Sequence, residues 1–188
     1  PSIDCLFLIA HTRTMRIALI HNRVVHRGGL ETRLFSYIDE FRSRGHTVSV
    51  VVSKVSPDIT FPEEVNVIKV NLSYVPRALR DYWFSHSVDR LQLSKTHDFT
   101  LSLVRTPGPS AALAPGNHLG FLRATNRRFW SPKDWLYVQI ERKCFETCRV
   151  ILAASTMMRD ELIELYGLPK SKIRVLFPPT DVKRFNRE

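Results

Sequence analysis

Met15-Arg16-Ile17-Ala18-Leu19-Ile20-His21 is a short apolar run bounded by polar residues, the pattern of a strand buried on both faces within a parallel sheet. A polar loop follows, from Asn22 to Gly29. Leu30, Leu34, Ile38 and Phe41, with Phe35 beside them, then recur at helical spacing against Glu31, Arg33, Asp39 and Arg42. Gly45 stops that helix as a residue free to turn left-handed. Val48 to Val52 is a second β-branched run, and Val65 to Val70 a third after a proline-containing turn. Strand, helix, strand within this span is a βαβ unit, whose crossover is right-handed.

The alternation continues along the chain. Residues 76–95 read as a helical region and Phe99 to Val104 as a strand. Ser131-Pro132-Lys133-Asp134 is a helix start, with serine as N-cap, proline at the first position and an acid at the third, and the helix runs to about Phe145. Val150 to Ala153 is a strand, Thr156 to Tyr166 a helix closed by Gly167, and Ile173 to Leu176 a last strand. The expected fold is therefore α/β: a Rossmann-like, doubly wound, mainly parallel sheet with helices on both faces. Its strands are expected near 16–21, 48–52, 66–70, 99–104, 150–154 and 173–176. Ligands in such folds sit beyond the carboxyl ends of the strands. That rule points to the loops after His21, Val104 and Leu176.

The chain has 188 residues, 44% hydrophobic and 24% charged, with a formal net charge of +10. That composition suits a globular domain and favours anionic partners such as phosphates, nucleic acid or an anionic membrane face. No helix-turn-helix, RNP or zinc signature supports nucleic acid. Cys5, Cys144 and Cys148 have neither disulfide-framework nor zinc spacing, and Cys144 and Cys148 read as small buried residues of a protein in a reducing cytoplasm. The apolar run Cys5 to Ala10 is too short to span a bilayer and no basic segment precedes it. Translation is expected to start at Met15, leaving residues 1–14 as an upstream extension outside the fold.

The first loop carries the clearest local chemistry. Gly28 and Gly29 open the first helix, where a side-chain-free backbone and the helix dipole favour an approaching anion. A tight turn is the alternative. The loop lacks the third glycine of the dinucleotide fingerprint and the lysine of a P-loop, and Val51, Val52 and Ser53 stand where a ribose-binding acid would be. Those departures speak against a nucleotide-cofactor oxidoreductase.

Three short motifs then come in register: Met15 to Ile20, Gly28-Gly29-Leu30-Glu31-Thr32-Arg33, and Arg44-Gly45-His46-Thr47-Val48. Together they resemble the opening of the retaining family 4 glycosyltransferases of the GT-B fold. Gly116-Asn117-His118-Leu119-Gly120-Phe121-Leu122 resembles a Gly-x-His-x-Gly-Phe-Leu segment of a bacterial branch that includes lipopolysaccharide-core transferases. The stretch from Val150 through Tyr166-Gly167-Leu168-Pro169 to Asp181-Val182-Lys183-Arg184-Phe185 resembles the family's last strands and interdomain linker. The usual Pro-Asn-Gly-Val-Asp is here Pro178-Pro179-Thr180-Asp181-Val182, which stiffens that linker.

The resemblance implies an amino-terminal, acceptor-side domain at 15–178 and the start of a linker at 179–188, with the donor domain absent and the chain inactive without it. It implies transfer of a sugar from a nucleotide-sugar donor to a glycan or lipid-linked acceptor of the cell envelope, with no metal and no cofactor. It places His118 in the catalytic position, with a loop or capping residue as the alternative. Gly28 and Gly29 would meet the donor diphosphate, and Arg23, Arg27 and Arg123 would contact acceptor or phosphate, unless they are solvated surface arginines. Glu31 reads as a charge match for the first helical turn, and His21 and His26 as secondary members of the site.

Arg77, Arg80, Trp83, Phe84 and Arg90, and again Arg123, Arg127, Arg128, Phe129, Trp130 and Lys133, mix cations with aromatics. Such segments suit a peripheral surface on the inner membrane face, or equally a packed aromatic under a solvated basic face. Two other functions stay open: a non-catalytic acceptor- or membrane-binding fragment of a split gene, and a nucleotide-binding Rossmann protein of another class.

Overall fold

A computed structural model of the chain describes residues 13–25, 28–127 and 131–178. Its strands are β1 (Arg16–Ile20), β2 (Arg23–Val24), β3 (Thr47–Val52), β4 (Lys54–Val55), β5 (Asn66–Lys69), β6 (Phe99–Ser102), β7 (Ala111–Ala114), β8 (Val150–Ala153) and β9 (Ile173–Val175). The helices are α1 (Gly29–Ser43), α2 (Arg80–Leu91), α3 (Leu93–Thr96), α4 (His118–Ala124), α5 (Pro132–Thr147) and α6 (Thr156–Tyr166). Seven strands form one sheet in the order β5-β3-β1-β6-β7-β8-β9, every pair parallel. The order reverses between β1 and β6, which makes the crevice above their carboxyl ends the switch point where such sheets hold ligands.

β1 shows why both faces are covered. Ile17 and Leu19 enter a cluster with Leu34, Ile38 and Phe41 of α1, whereas Ala18 and Ile20 enter one with Phe84 and Val88 of α2. Alternate residues of a strand point to opposite faces, so a continuous apolar run requires a helix on each. Across β7, β8 and β9 a third cluster joins Ala112, Ala114 and Ile151 to Phe145, Met158 and Leu162 from α5 and α6.

The expected fold class is observed, with four refinements. β7 is a seventh strand that its Ala-Ala-Leu-Ala sequence does not advertise, because alanine is a poor strand former. α4 is a helix where only a loop motif was legible. The expected helical region 76–95 is a 3₁₀ turn at Arg77–Leu79 followed by α2 and α3, broken at Gln92, whose φ of 50° is left-handed. β2 and β4 form a separate two-stranded parallel ladder beyond the ends of β1 and β3. Residues 1–12 of the expected upstream extension and the linker residues 179–188 lie outside the described residues. Among the described residues, no helix is long and apolar enough to cross a membrane.

Candidate functional site

His118 is the first residue of α4, directly behind the carboxyl end of β7. The helix is short and needs its cap. Asn117 supplies it, its Oδ1 accepting from the Gly120 N–H at 2.5 Å while its Nδ2 donates to Glu161 Oε2 at 2.6 Å. A Cβ at Gly120 would come within 2.6 Å of that Glu161 oxygen and 2.9 Å of the Asn117 amide, so glycine keeps the cap compact.

Three residues of α5 grip His118. Its backbone N–H, an orphan donor at a helix start, reaches Glu141 Oε2 at 2.7 Å. Its Nε2 lies 2.9 Å from Asp134 Oδ1. Its ring stacks on Tyr137, with centroids 5.3 Å apart and planes at 28°, and packs against Phe121 at 5.7 Å. Asp134, Tyr137 and Glu141 stand at i, i+3 and i+7, the spacing that lines one face of a helix.

Both carboxylates are nearly enclosed and fully engaged. Asp134 closes the capping box of α5, accepting from the Ser131 N–H at 2.9 Å and the Ser131 hydroxyl at 2.7 Å, with Arg127 at 3.3 Å. These bonds from Ser131, helped by His118 and Arg127, hold its carboxyl well below the usual aspartate range. Glu141, 2% exposed, pairs with Arg105 Nε at 2.9 Å and accepts from the Tyr166 hydroxyl. Burial and the Glu141 charge push that phenol up. Arg105 also donates to the Gly116 carbonyl at 2.5 Å, tying down the turn that leads into α4.

A chain of contacts runs from His118 to the loop after β1. The Tyr137 hydroxyl donates to Asp81, and Asn22 Nδ2 donates to the other oxygen of the same carboxylate at 2.7 Å. Asn22 in turn accepts from the Ser53 hydroxyl at 2.8 Å on its backbone carbonyl. One residue before Asn22, His21 is 4% exposed, and neither ring nitrogen has a hydrogen-bond partner among the described residues. Its Nε2 stands 3.6 Å from Glu31 Oε1, beyond hydrogen-bond range. Burial lowers its pKa against the opposing pull of Glu31. Glu31 folds back over Gly28, the N-cap of α1, which has no side-chain cap; a Cβ on Gly28 would overlap the Glu31 carboxylate.

The remaining expected residues distribute as follows. Gly28 and Gly29 open α1 beyond the carboxyl end of β1, and His118 opens α4 beyond that of β7. Arg23 is exposed on β2, and His26 and Arg27 lie outside the described residues. Arg123 is exposed and pairs with Glu164 at 2.7 Å. Both border an open groove of about 550 Å³ between α4 and α6, lined also by Gly120, Met157 and Glu161. Phe84 is 1% exposed and belongs to the core rather than to any surface, whereas Trp83 is 38% exposed and packs with Tyr82 and His86. Arg128, Phe129 and Trp130 lie outside the described residues. Cys144 and Cys148 are buried thiols, Cys144 pushed up to about 12 by desolvation. The members of the site that sequence reasoning missed are Asp81, Tyr137 and Glu141; Asp134 was read only as a helix-start acid.

Comparison with known proteins places the chain in a family. The model of Glycosyltransferase Family 4 matches residues 27–184. A protein of Burkholderia thailandensis named a probable transglycosylase is 35% identical over 173 residues, covering 91% of this chain and 47% of the relative. Among solved structures, WaaG, a glycosyltransferase involved in lipopolysaccharide biosynthesis, superposes with a TM-score of 0.73 at 15% identity over 85% of this chain and 44% of its own. The apo UGT2 of Phytolacca americana gives 0.51 at 10% identity, covering 90% of this chain and 54% of its own. The chain spans about half the length of the relatives it matches.

Proposed function

Since this chain belongs to glycosyltransferase family 4, we propose that it is the acceptor-side domain of an enzyme that moves a sugar from a nucleotide-sugar donor to a glycan or lipid-linked acceptor of the cell envelope. The observation that carries this reading is the clasp around His118. A histidine at the carboxyl edge of a doubly wound sheet is held by backbone, ring face and ring nitrogen at once. Such a degree of fixation is what a group that must meet a reacting sugar in one geometry requires.

In this reading the Gly28 and Gly29 N–H groups meet the leaving diphosphate at the start of α1, where the helix dipole favours negative charge. His118 contacts the transferring sugar. Arg23, Arg27 and Arg123 serve acceptor or phosphate. The rest of the donor pocket comes from outside residues 1–188, and residues 1–188 alone do not turn over. Exposed Tyr82 and Trp83, with Arg77 and Arg80 close by in sequence, fit a lipid-linked acceptor presented at an anionic inner-membrane face.

The donor-loop assignment is tested by titrating a nucleoside diphosphate into isotopically labelled chain and following backbone amide resonances. The Gly28 and Gly29 amides are expected to move first and furthest. Perturbations confined to α2, or to the groove between α4 and α6, would sink the assignment.

A further inference from the structure

Resting on the reading of His118 as the sugar-contacting group, we infer that Asp134 is a positioning residue that fixes the imidazole as its Nε2–H tautomer. Nδ1 is thereby presented to substrate as a hydrogen-bond acceptor, suited to a sugar hydroxyl and not to a phosphate oxygen.

The carboxylate decides the tautomer. An ionised carboxylate only accepts hydrogen bonds, so a ring nitrogen 2.9 Å from Asp134 Oδ1 must carry the hydrogen. The nearly enclosed Asp134 keeps its charge because Oδ2 takes the Ser131 N–H, the Ser131 hydroxyl and the Arg127 guanidinium, leaving Oδ1, among the described residues, to His118. Rotation of the ring away from this partner is opposed by its packing against Tyr137 and Phe121, and the Glu141 bond fixes the backbone beneath it. With Nε2 committed, Nδ1 is the ring nitrogen left over; it has no hydrogen-bond partner among the described residues, and the side chain stays 18% exposed. A lone pair there attracts an O–H group and repels an anionic oxygen.

This arrangement makes Asp134→Asn an informative change. Three donors face the Oδ2 position and one faces Oδ1. The amide therefore turns its oxygen to Ser131 and Arg127 and its NH₂ group to His118. Nε2 must then accept, and the proton moves to Nδ1. Shape is kept and the tautomer is inverted, as when an aspartate behind a catalytic histidine is amidated.

Ring nitrogen-15 spectra of the neutral imidazole, recorded on the chain, provide the test. Wild type is expected to show a protonated Nε2 and an unprotonated Nδ1, and Asp134→Asn the reverse. Ser131→Ala, which weakens the helix cap but spares Oδ1, should lower the melting temperature and leave the ring pattern unchanged. A protonated Nδ1 in wild type, a wild-type pattern in Asp134→Asn, or an equal change in Ser131→Ala would each overturn the inference. In the native-length enzyme Asp134→Asn should lower kcat by at least about 10-fold, toward the roughly 10⁴-fold of an amidated aspartate behind a catalytic histidine, with KM for donor unchanged. An unaltered kcat beside an inverted tautomer would also overturn it. If wild type transfers no sugar at all, the glycosyltransferase reading fails while the ring spectra still decide the tautomer, so the two failures are distinguishable.

Discussion

The loop that leads into α4 and the loop that leads into α1 are built in opposite ways. Around His118 each carboxylate oxygen of Asp134 and Glu141 has a donor, and the histidine is held at three points. At the start of α1, by contrast, Gly28 caps without a side chain, and the buried His21 near Glu31 has no hydrogen-bond partner for either ring nitrogen among the described residues. Buried polar groups are normally satisfied, and an exception calls for a reason. On the proposed reading of the site this is a division of labour: the His118 side is fixed by its own hydrogen bonds, and the start of α1 is not.

The largest expected effect lies on the rigid side. Glu141→Ala would leave Arg105, the Tyr166 hydroxyl and the His118 N–H facing a void. Breaking a buried charged pair in this way costs about 3–5 kcal/mol. Urea unfolding of the chain should lose that much, and His118 should lose its fixed position as well. A loss under 1 kcal/mol would mean that the clasp is not rigid, and the contrast would collapse.

His21 provides the next test. Burial holds its folded pKa below the ordinary value, so the unfolded chain takes up the proton first as pH falls. The stability tied to neutral His21 is complete above about pH 6.5 and is lost as pH drops through the lower folded value. Melting temperatures should therefore decline on acidification below about pH 6.5. In His21→Leu, which gives up no hydrogen bond, that part of the decline should vanish while stability at neutral pH stays within about 1 kcal/mol. A decline of equal steepness in the variant would show that His21 is not the titrating group.

The two glycines give the smallest effect and the finest contrast. A Cβ on Gly29 meets nothing within 4 Å and its φ is not left-handed, so Gly29→Ala should stabilise the chain by about 0.4–1 kcal/mol. It should nonetheless weaken nucleoside diphosphate binding if the anion packs against that backbone. Stabilisation with unchanged binding would shift the donor contact to Gly28 alone.

The sheet was legible because β1, β3, β6 and β8 are apolar runs, and such runs are what a strand buried on both faces must be. β7 was not, since four residues of alanine and leucine hemmed by Pro109 and Pro115 carry no β-branched signal, and its pairing with β8 depends on a partner 39 residues away. The site divides along the same line. Gly28, Gly29 and His118 stand in motifs that resemble the family, so they could be named from the chain. Asp134 was visible only for its local job at the helix start, and Tyr137 and Glu141 look like ordinary polar positions of an amphipathic helix. Their roles exist only once α4 has docked on α5, a contact between elements that no local spacing announces.

The central claim is that His118, held by this clasp, serves sugar transfer in an enzyme of which residues 1–188 supply one side of the cleft. A transfer assay with a nucleotide-sugar donor, run on the native-length protein, on its His118→Ala variant and on residues 1–188 alone, tests it most directly. Transfer is predicted for the first, a loss of at least about 100-fold in kcat for the second, and no turnover for the third. Equal activity with and without the His118 imidazole, or robust transfer by residues 1–188 alone, would contradict the account.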